Sequence, residues 1–293
     1  MQWKEVNIAV APRATDAVAL LLYECGSNGA VIHDEETDEC GRIRITAYFP
    51  SQPHIEKEIN NKLQVLATGE KLSLAIAWQP QVADETEWLY TWQQYFHATD
   101  VTRRCRIIPA WEVNTVEKNE INIIVEPGRA FGSGLHETTA MCIRLLEKYV
   151  RSEQQVWDIG TGTGILAIAA AKYGAAAVKA VDIDEASVQQ AVKNVQRNDV
   201  AAQVQVERGD LLQNLTPPKN GVDLVVANLV TDPVVRLLAG VHRFIKKGGH
   251  LIVSGIIDTR IEEVYAAVKR YGFIVREEKK SNGWYALYLQ QEE

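Results

Sequence analysis

The sequence lacks the features that mark a membrane protein, a disulfide-bonded protein or a structural zinc site. It has no run of about 18 apolar residues, the length that a membrane-spanning helix needs. Residues 1–6 alternate like a strand and lack the apolar stretch of a signal peptide. The four cysteines, Cys25, Cys40, Cys105 and Cys142, are scattered and form no C-x-x-C pair. We therefore expect a reduced, cytoplasmic protein that has no membrane contact and no metal site.

Internal repeats and low-complexity segments are also absent, and 46% of the 293 residues are apolar. This length predicts one large domain or two ordinary ones. The net charge is −7, and residues 1–100 carry 7 Lys and Arg against 15 Asp and Glu, whereas the remainder is nearly balanced. The acidic third favours either solubility or the docking of a basic partner. Because an acidic surface repels phosphates, we expect no direct nucleic-acid binding by this segment.

The front of the chain predicts a small α+β domain. Its elements are expected as strand 3–10, helix 15–25, strand 30–33, strand 42–49, helix 54–66 and strand 72–78, with an acidic turn at 34–40. This β-α-β-β-α-β order is that of a split βαβ, ferredoxin-like unit, and it predicts a first domain at 1–80.

A helical linker is predicted at 81–100. It carries the aromatic residues Trp88, Tyr90, Trp92, Tyr95 and Phe96. We favour packing between domains over a binding surface for this stripe, because large aromatic side chains dominate the energetics of cores and interfaces.

Strands and helices alternate from residue 144 onward. Strands are predicted at 156–159, 178–182, 204–207, 222–227 and 250–255, and helices at 185–197, 233–245 and 259–271. Strands 103–108 and 121–125 are predicted to form a hairpin before them, and strands 273–278 and 284–290 an antiparallel pair at the end. The alternation predicts an α/β domain at 101–293 with a parallel sheet covered on both faces. It leaves no room for the second half of a dinucleotide dehydrogenase.

A glycine-rich turn follows the first of these parallel strands. Asp158 ends the strand, and Gly160, Gly162 and Gly164 lead into an apolar helix. Such a turn lets backbone N–H groups approach a ligand at a positive helix end, and we expect side chains at the three glycines to fill the ligand's space. The G-x-G-x-G spacing differs from the dinucleotide G-x-G-x-x-G. Asp182, at the end of the next strand, is placed to bind the hydroxyls of a ribose, while Asp158 could also be a plain helix cap.

Polar residues also follow the third and fourth strands. Gly209 and Asp210 would lie near an adenine amino group, although Asp210 could equally cap a loop. Asn228 can accept a hydrogen bond from an amine while the Leu229 carbonyl accepts another, or it can simply turn the chain. The chain continues as Leu-Val-Thr rather than as the Pro-Pro-Tyr that follows such an Asn in enzymes acting on glutamine and adenine, which disfavours those substrates.

A loop of small residues at 126–139 precedes the helix 140–150. We interpret it as a lid over a ligand, since it cannot form a core segment. Thr138 and Thr139 fall at the helix start, and His136 either neighbours the cap or lines the site.

The chain resembles the ribosomal protein L11 methyltransferase family of bacteria. The resemblance is carried by this loop, Pro-Gly-x-Ala-Phe-Gly-x-Gly-x-His-x-Thr-Thr, and by Asp158–Gly164, Asp182-Ile183-Asp184 and Ala227-Asn228-Leu229. The resemblance covers nearly the whole chain. It implies a Rossmann-like class I methyltransferase domain with a C-terminal antiparallel hairpin, preceded by the ferredoxin-like domain. The departures are Glu137 in place of the usual Pro and Thr161 in place of a frequent Cys.

The resemblance also implies the cofactor, the substrate and the site. S-adenosylmethionine would donate methyl groups that trimethylate the N-terminal α-amino group and lysine ε-amino groups of the basic protein L11, held by the front domain and presented through the linker. Asn228 and Leu229 would be catalytic. The cofactor would be bound by Phe131, Gly132, His136, Thr138, Thr139, Asp158, Gly160, Gly162, Gly164, Asp182, Ile183, Gly209, Asp210 and Asn228.

Two other functions stay open at this point. One is a lysine methyltransferase that acts on a different protein, and the other is a non-catalytic S-adenosylmethionine-binding factor of ribosome assembly. The presence of Asp158, Asp182 and Asn228 together argues against the second. We expect a monomer whose partner is L11.

Overall fold

The computed structural model describes residues 3–27, 30–50, 54–70, 74–82, 96–114, 119–126, 136–213 and 215–292. The chain divides into two compact units, residues 1–96 and 97–293. Most of the predicted aromatic linker, and the part of the predicted lid that holds Phe131 and Gly132, lie outside the described residues. None of the described helices is both long and apolar enough to span a membrane.

The first unit is one antiparallel sheet with two helices. Its elements are β1 (Trp3–Val10), a 3-10 turn (Pro12–Ala14), α1 (Thr15–Glu24), β2 (Ala30–Thr37), β3 (Ile43–Pro50), α2 (Ile55–Glu70) and β4 (Ala75–Val82). The strands lie in the order β2-β3-β1-β4, and every neighbouring pair is antiparallel. This is the order that the split βαβ arrangement produces.

The core of the first unit follows from the periodicity of its elements. Alternate residues of β1, among them Val6 and Ile8, face the two helices and are fully buried. Ile59 and Leu63 lie four residues apart on α2 and meet the same core, as their spacing predicts. The acidic turn is shorter than expected, because β2 continues to Thr37.

The second unit begins with a small sheet that corrects one prediction. Its strands are β5 (Thr99–Asp100), β6 (Cys105–Pro109) and β7 (Ile121–Val125). β5 pairs antiparallel with β6, but β6 and β7 run parallel and form no hairpin. The connection over 110–120 is close to the dozen or so residues that a parallel crossover needs, and strand periodicity does not reveal direction.

The larger part of the second unit alternates helices and strands. Its elements are α3 (Glu137–Tyr149), β8 (Gln155–Ile159), α4 (Ile165–Lys172), β9 (Ala177–Asp182), α5 (Glu185–Arg197), β10 (Val204–Arg208), β11 (Val222–Asn228), α6 (Thr231–Val241), β12 (Ile245–Ile257), a 3-10 turn (Asp258–Arg260), α7 (Ile261–Arg270), β13 (Phe273–Ser281) and β14 (Trp284–Gln291).

These strands form one seven-stranded sheet in the order β10-β9-β8-β11-β12-β14-β13. The first five are parallel, and β14 pairs antiparallel with both β12 and β13. Helices α6 and α7 pack on one face, and α3 and α4 cover the other. The predicted parallel sheet with an antiparallel terminal pair is confirmed. Asn282 and Gly283 form the tight turn of that pair, with φ of 47° and 79°.

Candidate active site

The site lies where the strand order reverses. From β8 the chain continues outward to β9 and β10 on one side, whereas β11 and β12 extend the other side. Ligand crevices of parallel α/β sheets open at the carboxyl ends of the strands at this point. Asp158, Asp182 and Asn228 lie at the carboxyl ends of β8, β9 and β11.

The glycine turn, residues 160–164, is held by backbone geometry. Gly160, Gly162 and Gly164 have φ of 77°, 54° and 84°, a region that side chains rarely adopt. A Cβ at Gly160 would lie 2.3 Å from Leu229 Cδ2, and one at Gly164 would lie 3.2 Å from Ala191 Cβ. At these two positions a side chain would first meet protein atoms of Leu229 and Ala191, so each glycine is required by the packing of the turn. The expectation that side chains here would also fill ligand space stays a prediction.

Asp158 uses one carboxylate oxygen for the fold and leaves the other open. Its Oδ2 accepts hydrogen bonds from Thr161 Oγ1 at 2.6 Å and from Ala167 N at 3.0 Å, so the residue caps α4. Its Oδ1 is buried and has no hydrogen-bond partner among the described residues. Burial raises the pKa of Asp158 to about 7, although the bonds from Thr161 and Ala167 oppose the shift. A cationic donor at Oδ1 would satisfy this oxygen and stabilise its charge.

Asp182 holds the glycine turn from the next strand. Its Oδ2 accepts a bond from Gly162 N at 2.8 Å, and its Oδ1 accepts one from Asp184 N at 3.0 Å. Burial raises the pKa of Asp182, and these backbone N–H groups oppose the shift. The carboxylate keeps a lone pair for a further donor. The adjacent Ile183 is 59% exposed, which leaves an apolar surface at the rim of the site.

Asp184, Gly209 and Asp210 lie near Asp182 and have different structural roles. Asp184 caps α5 by accepting bonds from Ser187 N at 3.0 Å and Ala186 N at 3.3 Å. Gly209 N donates to the Asp182 carbonyl at 2.8 Å, which brings the end of β10 beside the end of β9. Asp210 lies next to it, and its Oδ2 accepts a bond from Gln213 Nε2 at 2.7 Å.

Asn228 presents a second open oxygen. Its Nδ2 donates to Thr139 Oγ1 at 3.2 Å, and its Oδ1 is buried without a hydrogen-bond partner among the described residues. Thr139 is itself fully buried in the first turn of α3. The contact with Thr139 therefore fixes the amide with its acceptor free for an N–H group.

The backbone after Asn228 is fixed by β12. Leu229 N donates to the Ser254 carbonyl at 3.0 Å. A Cβ at Gly255 would lie 2.3 Å from the Leu229 carbonyl oxygen, and Gly255 has φ of 83°. The register between β12 and β14 shifts at this point. Sequence reasoning missed Ser254 and Gly255, although a glycine inside a strand pattern is itself a signal of a bulge or a close backbone approach.

His136 is the N-cap of α3. Its Nδ1 accepts a bond from Thr138 N at 3.3 Å and lies 2.8 Å from Thr138 Oγ1. Its ring packs edge to face against the Trp284 ring, with 5.0 Å between the ring centroids. Asn282 Nδ2 donates to Glu137 Oε1 at 3.3 Å, so the β13–β14 turn contacts the start of α3. Of the two predicted roles, the cap is the one these contacts describe.

The structure thus brings Asp158, the glycine turn and Asp182 together, and it brings Asn228 together with Thr139. His136 and Thr138 bond to each other at the start of α3. Among the described residues, no group of three or more His, Cys, Asp or Glu side chains is arranged to hold a metal ion. The site therefore offers buried oxygens, backbone N–H groups and an apolar rim.

Comparisons with known proteins agree on one family. The sequence matches the model of the family described as Ribosomal protein L11 methyltransferase (PrmA) over residues 2–292. The ribosomal protein L11 methyltransferase of Exiguobacterium sp. is 34% identical over 98% of both chains, and that of Pelotomaculum thermopropionicum is 35% identical over 98% of both chains. The crystal structure of ribosomal protein L11 methylase from Lactobacillus delbrueckii subsp. bulgaricus aligns with a TM-score of 0.62 at 29% identity, over 68% of this chain and 100% of that one.

Proposed function

The chain belongs to the ribosomal protein L11 methyltransferase family, and from this premise we propose that it trimethylates the N-terminal α-amino group and lysine ε-amino groups of ribosomal protein L11. The observation that carries the proposal is the pair of open oxygens, Asp158 Oδ1 and Asn228 Oδ1. Both are buried, and they lie on the adjacent strands β8 and β11. Buried oxygens without partners are rare in folded proteins, and each of these suits an amine.

The residues present fit S-adenosylmethionine, the family's cofactor. Asp158 Oδ1 would accept a bond from its amino group, and the glycine turn would approach it closely. The free lone pairs of Asp182 would receive the ribose hydroxyls, and exposed Ile183 would pack against the adenine with Asp210 nearby. When bound, the cofactor supplies a methyl group already activated for transfer.

Asn228 and Leu229 would act on the substrate amine. The buried Asn228 side-chain oxygen would accept one N–H and the Leu229 carbonyl the other, which would point the nitrogen lone pair toward the methyl donor. The amine must be uncharged to attack, and burial next to a cation lowers the pKa of a lysine ε-amino group from about 10.4. Its proton leaves to water.

The acidic first third supports the choice of a basic protein substrate. Its 15 Asp and Glu outweigh 7 Lys and Arg, and charge complementarity steers a cationic partner toward the protein. We propose that the first unit holds L11 and that the predicted linker lets several amines reach one site. A cytoplasmic monomer without nucleic-acid contact belongs to the same proposal.

Intact-protein mass spectrometry of purified L11 tests the function. After incubation with the protein and S-adenosylmethionine, we expect L11 to gain mass in whole methyl groups, up to three on each modified amine. Peptide mapping should localise the gains to the N-terminus and to lysines. A reaction without S-adenosylmethionine is the control.

Two outcomes would contradict the proposal differently. No mass gain, with cofactor binding demonstrated by calorimetry, would mean that another basic protein is the substrate. Cofactor binding without turnover on any protein would favour the non-catalytic assembly factor.

A further inference from the structure

Two asparagine side chains, Asn194 in α5 and Asn198 at its C-cap, form hydrogen bonds with the backbone at the end of β7, as a neighbouring strand would do. Asn198 Oδ1 accepts a bond from Ile124 N at 2.9 Å, and its Nδ2 donates to Ile124 O at 2.6 Å. Asn194 Oδ1 accepts a bond from Glu126 N at 3.0 Å, and its Nδ2 donates to Glu126 O at 3.1 Å. We call Asn194 and Asn198 the amide pair.

The geometry of the amide pair follows from helix and strand spacing. Residues four apart on a helix are separated by about 6 Å along its axis. Residues two apart on a strand are separated by about 6.7 Å and point their backbone groups to the same edge. The two amides therefore match the backbone groups of Ile124 and Glu126, at the edge of β7 opposite to β6.

Asn194 makes contacts that Asn198 lacks. Its Nδ2 also donates to the Thr163 carbonyl, in the middle of the glycine turn, at 2.9 Å. Asn194 is fully buried, and its oxygen accepts a further bond from Arg197 NH1 at 3.2 Å. A single buried amide thus bonds both to the glycine turn and to Glu126, the last described residue before the segment 127–135.

Two further bonds reinforce the end at Glu126. Gln190 Nε2 donates to the Glu126 carbonyl at 2.8 Å, and Arg197 NH2 pairs with Glu126 Oε2 at 2.7 Å. Among the hydrogen bonds described here, the Asn194 amide is bonded both to the Thr163 carbonyl and to the Glu126 carbonyl. Removing this amide would leave buried backbone groups without a hydrogen bond on both sides, which is unfavourable.

We infer that Asn194 is a positioning residue that keeps the glycine turn and the backbone at Glu126 in one fixed relation, so that the affinity for the cofactor depends on it. The inference rests on the proposed function, because it concerns the same cofactor site. Asn194 itself need not touch the cofactor. It acts through the backbone of Thr163 on one side and of Glu126 on the other.

Asn194→Ala and Asn198→Ala form a matched pair for the test. Both remove a buried amide that bonds to the β7 side, so both should lower Tm, and Asn194→Ala should lower it more because it also loses the bonds to Thr163 and Arg197. Calorimetric titration with S-adenosylhomocysteine should show Kd raised about tenfold for Asn194→Ala, the equivalent of about 1.4 kcal/mol, and unchanged within about twofold for Asn198→Ala. Steady-state kinetics should show a raised KM for S-adenosylmethionine with kcat largely retained.

Equal changes in Kd for the two variants, or no change for Asn194→Ala, would overturn the inference and leave the proposed function intact. A wild-type protein that does not bind S-adenosylhomocysteine would overturn the proposed function instead. If Asn194→Ala does not fold, Asn194→Ser serves in its place, because its hydroxyl is too short to bond to both backbone segments.

Discussion

The two halves of the candidate site hold their polar groups in different ways. On the β8–β9 side, Asp158 and Asp182 are anchored mainly by backbone N–H groups, at Ala167, Gly162 and Asp184. On the β11 side, Asn228 is oriented by the hydroxyl of a side chain, Thr139. The position of a group held by backbone N–H groups is insensitive to nearby side-chain substitutions, whereas the position of a group held by one side chain depends on that residue. From the roles proposed above, we expect substitutions of Asp158 and Asp182 to change cofactor binding, and substitution of Asn228 to change methyl transfer.

The largest effect should follow Asn228→Ala. Loss of a positioned hydrogen-bonding group at a reacting centre lowers kcat by about 10²–10³-fold, and Kd for the cofactor should stay within about threefold. Single-turnover kinetics and calorimetry measure the two quantities. Equal losses in kcat and in cofactor affinity would abolish the distinction between the two halves.

The same variant separates the successive transfers. An uncharged primary amine has two N–H groups for Asn228 and Leu229 to accept, a monomethylated amine has one, and a dimethylated amine has none. Asn228→Ala should therefore slow the first transfer most and the third least. L11 prepared in the dimethylated state is the matched substrate, and a third transfer slowed as much as the first would contradict this role.

A smaller effect should follow Asp182→Ala. It removes the acceptor for Gly162 N and Asp184 N and the proposed ribose contact, so Kd for S-adenosylmethionine should rise by about 10–100-fold. At saturating cofactor, kcat should change little. Asp182→Asn keeps the size of the side chain and one acceptor oxygen, so its Kd should lie between those of Asp182→Ala and the wild type. An unchanged Kd would remove Asp182 from the cofactor site.

The buried charge of Asp158 predicts a proton linkage. Its pKa of about 7 lies above its ordinary value of 3.8, so the folded state binds a proton that the unfolded chain releases. The stability from this group is complete below about pH 4 and is lost as pH rises through 7. A bound amino group at Oδ1 should ionise the carboxyl, so binding at pH 6 should release close to one proton per cofactor.

Calorimetry at pH 6 in buffers of different ionisation enthalpy measures this release. Little release is expected at pH 8, where the Asp158 carboxyl is already ionised before binding. Asp158→Asn should bind the cofactor more weakly and should release no proton on binding. A variant that releases as many protons as the wild type would assign the linkage to another group.

The smallest effect should follow Asp184→Ala, two residues from Asp182. This change removes the cap of α5 and should lower the free energy of unfolding by about 1 kcal/mol. Denaturant unfolding measures it. Kd for the cofactor should not change, and a loss of affinity comparable to that of Asp182→Ala would show that the two carboxylates are not separable.

The β8–β9 side of the candidate site was more predictable from the sequence than the β11 side. A glycine pattern after a strand and an aspartate at the end of the next are local signals, and the structure brings Asp158, the turn and Asp182 together as expected. The β11 side, with Asn228, depends on contacts between residues that are distant in sequence. Thr139 lies 89 residues from Asn228, and no local pattern pairs them.

The amide pair and the direction of β7 were not predictable for related reasons. Asparagines four apart on an amphipathic helix have the pattern of a solvated face, and their partners here are backbone atoms, which no sequence pattern identifies. The strands at 105–109 and 121–125 were located closely, but their parallel pairing depends on the path of the connection between them.

The amide pair has a further consequence for the behaviour of the protein in solution. β7 is an edge strand with the sequence Ile-Asn-Ile-Ile-Val, and an open edge of this composition invites pairing with another molecule. Asn194 and Asn198 occupy the backbone groups of Glu126 and Ile124 and close part of that edge. Helix α5 therefore covers part of an edge whose open backbone groups would otherwise be available to a second molecule.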